Sequence, residues 1–247
     1  MNSPPEHRRS LSVLERSCWH VNQMASHNLV TLAELEGQLS RKDLRNALDV
    51  LQERTPLLKA RIRRVRGKLA FCMDDVPAIP LRFVDVPEES RYAYAERELN
   101  TGVPVDTGPL ARCMVLQHNG SRATILFTFL HAIGDGQAGF FLIRDLLRSL
   151  SGNEPQCTGE GKSRFPPPLS ATLPGEARGL RGSLRLGRMM GLNMIGYLRE
   201  GGLPRRLPLD SRPPHFIRWT RIFPVRLDRE ETERLVRSVK REKASVH

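Results

Sequence analysis

Residues 125–136 read ILFTFLHAIGDG, and this stretch decides the fold of the chain. Its first six residues are almost uniformly apolar, which favours a strand buried on both faces at the centre of a sheet. A tight turn that contains His131, Asp135 and Gly136 follows directly. The next residues, 137–150, carry an apolar stripe and predict a helix. The stretch therefore predicts a central strand that ends at a histidine.

Strands and helices alternate irregularly around this stretch. Ser12 and Glu15 have the spacing of a capping box and start a helix that runs to about Met24. Ser40 caps a second helix with an apolar stripe: Leu44, Ala47, Leu48 and Leu51. Further strands are predicted over residues 29–35, 58–66, 69–73, 81–86, 110–116 and 216–227, and further helices over 88–99 and 228–243, with Leu235 and Val239 inward. An Asn-Gly pair at 119–120 predicts a hairpin, and the mixture predicts an α/β fold with a mixed β-sheet and flanking helices.

The turn after the central strand is the candidate site. Sites in α/β folds are built where strands end, and histidine has an unperturbed pKa near about 6.5, so His131 is a usable base at neutral pH. Asp135 can hold the shape of the turn or orient the ring. Gly134 and Gly136 allow backbone conformations that other residues avoid. The alternative is an ordinary strand-to-helix turn with an incidental histidine.

The composition argues against several other classes of function. The 247 residues include four cysteines, at 18, 72, 113 and 157, without a CxxC pair, which excludes a disulfide scaffold or a cysteine-rich zinc module. The sequence contains no nucleophile-elbow, phosphate-loop, dinucleotide-binding or zinc-protease motif. Of the six other histidines, five are scattered, and we interpret each of these as structural or exposed rather than as a metal ligand: His20, His27, His118, His215 and His247.

The positive charge is concentrated in one segment. The chain has 39 Lys and Arg against 27 Asp and Glu, a net charge of +12, and residues 161–226 alone hold 13 basic and 3 acidic residues. Arginine dominates there and suits bidentate phosphate contacts, which leaves a phosphate-bearing ligand or a lipid surface as a partner. The alternative is a solvated basic connector. Tyr197 is the one aromatic residue between 166 and 214, so no nucleic-acid partner is predicted.

No targeting segment or membrane span is evident from the sequence. Residues 1–9 are polar, and no apolar run approaches the ~20 residues that a span needs. Residues 184–198 combine methionines and leucines with three glycines and two arginines. We interpret them as a half-buried connector helix, with an interfacial membrane helix as the alternative. We expect a cytoplasmic protein, with peripheral membrane contact as the alternative.

The segment from His131 to Gly136 resembles the HxxxDG motif of the thioester-dependent acyltransferase superfamily. This superfamily includes chloramphenicol acetyltransferase, the condensation domains of nonribosomal peptide synthetases, wax ester synthases and polyketide-associated acyltransferases. Residues 44–60 are similar to the family stretch "L..AL..L..RHPLLRA", and residues 107–110 to its "GPL" lead into the next strand. The predicted helices that start at Ser12 and at Asp228 resemble the opening helices of the two family halves.

The resemblance implies a fold of two similar α/β halves with a tunnel between them. Residues 1–157 would be the motif-bearing N-terminal half, 158–215 a basic Pro/Gly-rich connector, and 216–247 the start of a truncated C-terminal half. His131 would be the general base of an acyltransferase, Asp135 a structural residue paired to an arginine, and Gly136 the residue that lets the next helix approach.

The resemblance also implies the substrates and partners. No permanent cofactor is expected, and acyl-CoA or an acyl-carrier-protein thioester would be the co-substrate. The acceptor would be an alcohol or lipid hydroxyl, less readily an amine. CoA phosphates, an acidic carrier protein or a membrane surface would meet the basic segment, and the second half could be a separate chain.

Departures from the family pattern refine these expectations. Leu130 stands where condensation domains usually carry a first histidine, which favours an O-acyltransferase over a peptide-bond-forming domain. Thr55 replaces a usual histidine and Lys59 a usual arginine, so a structural contact there is expected to differ. The chain also has about half of the family's length, and the alternative function is a non-catalytic half that binds a carrier protein or a partner chain.

Overall fold

The structure is a computed structural model, and it describes residues 7–119, 121–153, 165–168, 171, 179–199, 219–242 and 244. The strands are β1 (Arg8–Ser10), β2 (Asn28–Glu36), β3 (Arg61–Val65), β4 (Lys68–Cys72), β5 (Leu81–Asp85), β6 (Ala111–His118) and β7 (Arg122–Leu130). The helices are α1 (Val13–Met24), α2 (Arg41–Arg54), α3 (Arg91–Asn100), α4 (Gly136–Leu150), α5 (Gly179–Arg199) and α6 (Arg229–Arg241).

Two sheets make up the described fold. The larger has the order β2-β7-β6-β5, in which β7 pairs antiparallel with both neighbours and β5 pairs parallel with β6. The smaller is antiparallel, with the order β1-β4-β3. The predicted α/β fold with a mixed sheet and flanking helices is therefore confirmed, and the apolar stretch that ends at His131 forms the internal strand β7.

Side chains alternate along β7 between two covered faces of the larger sheet. Phe127 and Phe129 lie in the core that α2 and α4 form on one face, together with Leu48 and Leu146. Leu126 lies in a separate cluster on the opposite face, where α3 packs. Because both faces are covered, almost every position of the strand is apolar.

Local signals start the helices where the sequence predicts. Ser12 accepts a hydrogen bond from the Glu15 backbone N–H, and the Glu15 carboxylate accepts one from the Ser12 backbone N–H at 2.6 Å, which completes the capping box of α1. Arg9 also forms a bidentate pair with Glu15 and so ties α1 to β1. Ser40 caps α2 with a single bond, since its side chain accepts a hydrogen bond from the Asp43 backbone N–H.

Three sequence-based predictions differ from the structure. The chain over Pro56–Lys59 forms a 3-10 turn before β3 begins, because Pro56 pre-sets the backbone of a turn. No strand forms over residues 219–227, so the strand predicted there is wrong for its described part. Leu235 is 41% exposed rather than inward, and α6 contains no buried residue, since an apolar stripe is buried only where another element covers it.

Helix α5 also differs from its predicted half-buried state. Its described large apolar side chains are all exposed: Leu184, Met189, Leu192, Met194, Ile195 and Leu198. Within the described residues, no helix has the length and apolar character needed to cross a membrane. The predicted domain boundaries at 157 and 215 lie outside the described residues, as do Cys157, His215 and His247.

Candidate active site

His131 is the first residue after β7, and the sheet itself holds its backbone. The last paired residue of β7, Leu130, lies opposite Asn28 of β2. One residue further, the His131 N–H donates to the His27 carbonyl at 3.0 Å, which continues the pairing beyond the strand. The Ile133 N–H then donates to the Leu130 carbonyl at 3.0 Å and closes the turn.

A side-chain hydrogen bond determines which nitrogen of His131 carries the proton. Nδ1 lies 2.9 Å from the Gly134 carbonyl oxygen. Because a carbonyl oxygen only accepts, Nδ1 must be the donor, and the neutral ring is the Nδ1–H tautomer. Nε2 then holds the unshared electron pair, so the half-buried ring is set up as a base through Nε2.

Asp135 begins the helix that follows the turn. As the N-cap residue of α4, it accepts a hydrogen bond from the Ala138 N–H at 2.9 Å, and its carbonyl accepts the first helical bond, from Gly139. Among the described residues Asp135 forms no ion pair with an arginine, although the family resemblance predicts one. Its observed contact is the helix cap, which fixes where the turn ends and α4 begins.

Of the two glycines of the turn, only Gly134 stands where a side chain would meet a neighbour, because a Cβ there would lie 2.9 Å from Ala138 Cβ. Neither Gly134 nor Gly136 has a positive φ, contrary to the expectation from sequence. A methyl group at Gly136 would meet nothing within 4 Å, so this residue does not bring the helix close. That role falls to Gly139, where a Cβ would overlap Thr31 Oγ1 and lie 3.3 Å from Phe129 Cε1.

His27 is the residue at this site that the sequence interpretation missed. Its ring stacks on that of His131, with centroids 4.9 Å apart and planes inclined by 28°. Burial lowers the pKa of His27 below its ordinary value of 6.5, and the neighbouring charge of His131 lowers it further. The signal that could have found His27 is the strand register: if Asn28 of β2 pairs with Leu130 of β7, their neighbours His27 and His131 lie opposite each other.

A buried polar network supports the strand ends below the two histidines. The Asn28 side chain donates to the Thr101 carbonyl at 2.6 Å, which ties the start of β2 to the end of α3. Thr128 of β7 donates to the Glu98 carboxylate at 2.8 Å, and Arg112 of β6 pairs with the same carboxylate. The network thus joins α3 to the three adjacent strands β2, β7 and β6.

A metal centre and a cysteine nucleophile are two further kinds of site that the described residues could contain. Among the described residues, no group of three or more His, Cys, Asp or Glu could hold a metal ion. Burial raises the pKa of Cys113 to about 12 and also raises those of Cys18 and Cys72, so these thiols stay protonated. A cavity of about 530 Å³ lies at the other end of β7, beside Arg122, and His131 does not line it.

Comparison with known proteins places this geometry in a family. A family model for the condensation domain matches residues 10–156. The chain belongs to the condensation-domain family. This confirms the resemblance to the thioester-dependent acyltransferase superfamily, of which condensation domains are part. A search of curated proteins finds no match to the sequence.

Three solved structures share the condensation-domain fold at low sequence identity. The tallysomycin biosynthesis protein TlmII aligns with a TM-score of 0.57 and 14% identity over 77% of this chain and 48% of its own. The X-domain from teicoplanin biosynthesis aligns with a TM-score of 0.56 and 16% identity, over 87% of this chain and 48% of its own. A mutant of the starter condensation domain of rhizomide synthetase in complex with C8-CoA aligns with a TM-score of 0.54 and 15% identity, over 78% of this chain and 45% of its own. The chain therefore spans less than half the length of each of these structures.

Two departures from the family pattern have visible structural consequences. Leu130 is fully buried in an apolar cluster that also contains Ile62 of β3 and Phe71 of β4, so an apolar residue suits this position. Lys59 pairs with Glu53, and the Thr55 hydroxyl is buried without a hydrogen-bond partner among the described residues. The contact that differs at 55–59 therefore lies in the turn after α2.

Proposed function

We propose that this chain is the histidine-bearing part of an acyltransferase that moves an acyl group from a CoA or carrier-protein thioester to a hydroxyl. The observation that carries the proposal is the His131 ring, whose Nδ1–H is held by the Gly134 carbonyl while Nε2 keeps its electron pair. We assign the catalytic half to residues 1–157, the basic connector to 158–215, and the start of the second half to 216–247. A cytoplasmic location, where acyl-CoA is available, fits this reaction.

The reaction follows from that tautomer. His131 Nε2 takes the proton from the acceptor hydroxyl as its oxygen bonds to the thioester carbonyl carbon. When the tetrahedral intermediate collapses, the carbon–sulfur bond breaks and the sulfur takes the proton from Nε2. The products are an ester and a free thiol, and His131 returns to its starting tautomer. Asp135 acts at a distance, because its cap on α4 fixes the turn that holds the Gly134 carbonyl in place.

Two observations support the choice of substrates. Leu130, in the place of the first histidine usual in condensation domains, favours a hydroxyl over an amine as the acceptor. The solved structure of a related starter domain with C8-CoA supports an acyl-CoA as the donor for a first assay. The arginine-rich segment 161–226 supports a donor with phosphate groups, which both CoA and a carrier-protein arm possess.

The test is acyl transfer from octanoyl-CoA to a panel of primary and secondary alcohols, with the ester measured by mass spectrometry. We expect His131→Ala to lose about a hundredfold or more in ester formation, the range for removal of a general base. His20→Ala, an exposed histidine of α1, serves as the matched control and should keep the rate. Equal ester formation by wild type and His131→Ala would refute the mechanism.

A second candidate function is a non-catalytic half that binds a carrier protein or a partner chain. Phe140 and Phe141 follow the site in α4 and are 70% and 46% exposed, as expected of residues that a partner covers. Light scattering of the chain alone and with a phosphopantetheinyl carrier protein measures such binding. Binding without ester formation by the wild-type chain would favour this candidate over the first.

A further inference from the structure

We propose that His27 is a titratable positioning residue, whose neutral ring holds His131 in the orientation of a base and whose protonation disables it. The inference rests on the proposed role of His131 as general base. It adds a second ionisable group to the site, so that two protons rather than one turn the site off as the pH falls. His27 does not touch the reacting atoms in this scheme and acts through His131.

The geometry holds the two rings together from both sides. The rings stack at 4.9 Å, and the backbone bond from the His131 N–H to the His27 carbonyl fixes the two residues opposite each other. The His27 N–H donates to the Asn22 side chain at 3.1 Å, and Asn28 is held to the end of α3. Because its N–H, its carbonyl and the next residue are all hydrogen-bonded, His27 cannot move away from the His131 ring without breaking these contacts.

This packing leaves His131 with one favourable orientation. One face of its ring is covered by His27, and its Nδ1 is occupied by the Gly134 carbonyl. A rotation about χ1 would break both interactions at once. The aromatic ring of His27 is therefore the part of the residue that positions the base. An uncharged aromatic ring at this position should position His131 equally well.

The charge of His27 is the part that makes the site sensitive to pH. Two imidazolium rings at this separation repel each other, and the partly buried setting strengthens the repulsion. Burial and the neighbouring His131 both lower the pKa of His27. The other ionisable side chains on adjoining elements are His20 in α1, Asp135 at the cap of α4, and the mutually paired Glu98 and Arg112.

Protonation of His27 would also oppose the reaction directly. During transfer His131 becomes an imidazolium, and a positive ring stacked on it raises the energy of that state. The active form is therefore the one in which both rings are neutral.

The experiment compares His27→Phe, His27→Ala and, as the matched control, His20→Phe in the full chain. The imidazole proton resonances are followed by NMR from pH 4 to 9, with His27 assigned from its loss in the variants. We expect His27 to titrate at a pKa below its ordinary value in wild type and in the control, because burial and the charge of His131 both lower it. In a further variant, His131→Phe, the pKa of His27 should rise, since the neighbouring charge is gone.

Activity against octanoyl-CoA and an alcohol provides the second measurement. In wild type the logarithm of kcat/KM should fall towards a slope of two at low pH, and in His27→Phe towards a slope of one. At pH 8 His27→Phe should keep its rate within about threefold, whereas His27→Ala loses about ten- to a hundredfold because the base is no longer oriented. Circular dichroism of each variant confirms that it is folded.

The outcomes separate this inference from the proposed function. An ordinary pKa of His27 in wild type, or full activity of His27→Ala, would overturn the role of His27. If the wild-type chain forms no ester, the proposed function fails, but the NMR titration still decides whether the two rings are coupled. A lowered pKa of His27 in wild type that rises in His131→Phe supports the inference in either case.

Discussion

Replacing Gly139 with alanine tests how closely α4 is seated on the sheet below His131. A Cβ at this position would overlap Thr31 Oγ1 of β2 and lie 3.3 Å from Phe129 Cε1 of β7. The χ1 angle of a β-branched residue is restricted, and one of the two alternative rotamers of Thr31 puts its methyl group where the hydroxyl was. Unless Thr31 adopts the remaining rotamer, the helix must move away from the sheet, and the packing of Leu142 and Leu146 loosens with it.

Two opposing terms set the magnitude. Overpacking of a well-packed core costs about 1–3 kcal/mol, whereas alanine is more favourable than glycine inside a helix by about 1 kcal/mol. The net expectation for Gly139→Ala is a loss of up to about 2 kcal/mol in the free energy of unfolding. Gly136→Ala is the matched control in the same helix, since a methyl group there meets nothing within 4 Å.

Urea unfolding at 25 °C, followed by circular dichroism, measures these free energies for wild type, Gly139→Ala, Thr31→Ala and the double variant. Because Thr31→Ala removes the overlapping oxygen, the double variant should recover most of the loss. The coupling energy between the two sites should then be about 1–2 kcal/mol, within the range for residues in contact. A coupling energy near zero, or a Gly139→Ala protein as stable as Gly136→Ala, would refute the close approach of α4.

Three further predictions concern single residues. Asp135→Ala removes the cap of α4 and should cost about 1 kcal/mol of unfolding free energy, whereas Asp135→Asn keeps the cap and should cost little, as urea unfolding can check. Burial raises the pKa of Glu15, but its hydrogen bonds to Arg9 and Ser12 outweigh this effect and lower the pKa below 4.5. The stability that Glu15 contributes is therefore present above about pH 4.5 and is lost as the pH falls through the lowered pKa. Glu15→Gln should therefore lower the urea midpoint at pH 7 more than at pH 3. Cys113, buried and with a pKa raised to about 12, should resist alkylation by iodoacetamide in the native protein and react only after unfolding, as peptide mass spectrometry can show.

Local and periodic features were predictable from the sequence. The run from Ile125 to Leu130 has no polar face, so it could only be an internal strand, and the structure confirms this. The capping box of α1 and the stripe of α2 depend on spacings of three and four residues, which the sequence displays directly. The position of His131 follows from these features, because it is simply the residue after the strand.

Contacts between distant segments were not predictable in the same way. His27 meets His131 only through the register of β2 on β7, which spacing within either segment does not encode. The role assigned to Gly136 belongs to Gly139, because the point of closest approach depends on how α4 crosses the sheet. Residues 219–227 carry the alternation of a strand, yet a strand also needs a neighbouring edge to pair with, and the sequence does not say whether one is available.

The contacts that hold the His131 ring are local to the part of the chain that matches the family. The contacts identified around the His131 ring come from residues within the family match at 10–156: the Gly134 carbonyl, the His27 ring and the backbone of β2. A cavity beside Arg122 and another beside Tyr94 are lined by described residues that do not include His131. The orientation and tautomer of the His131 ring can therefore be tested on this chain alone by NMR.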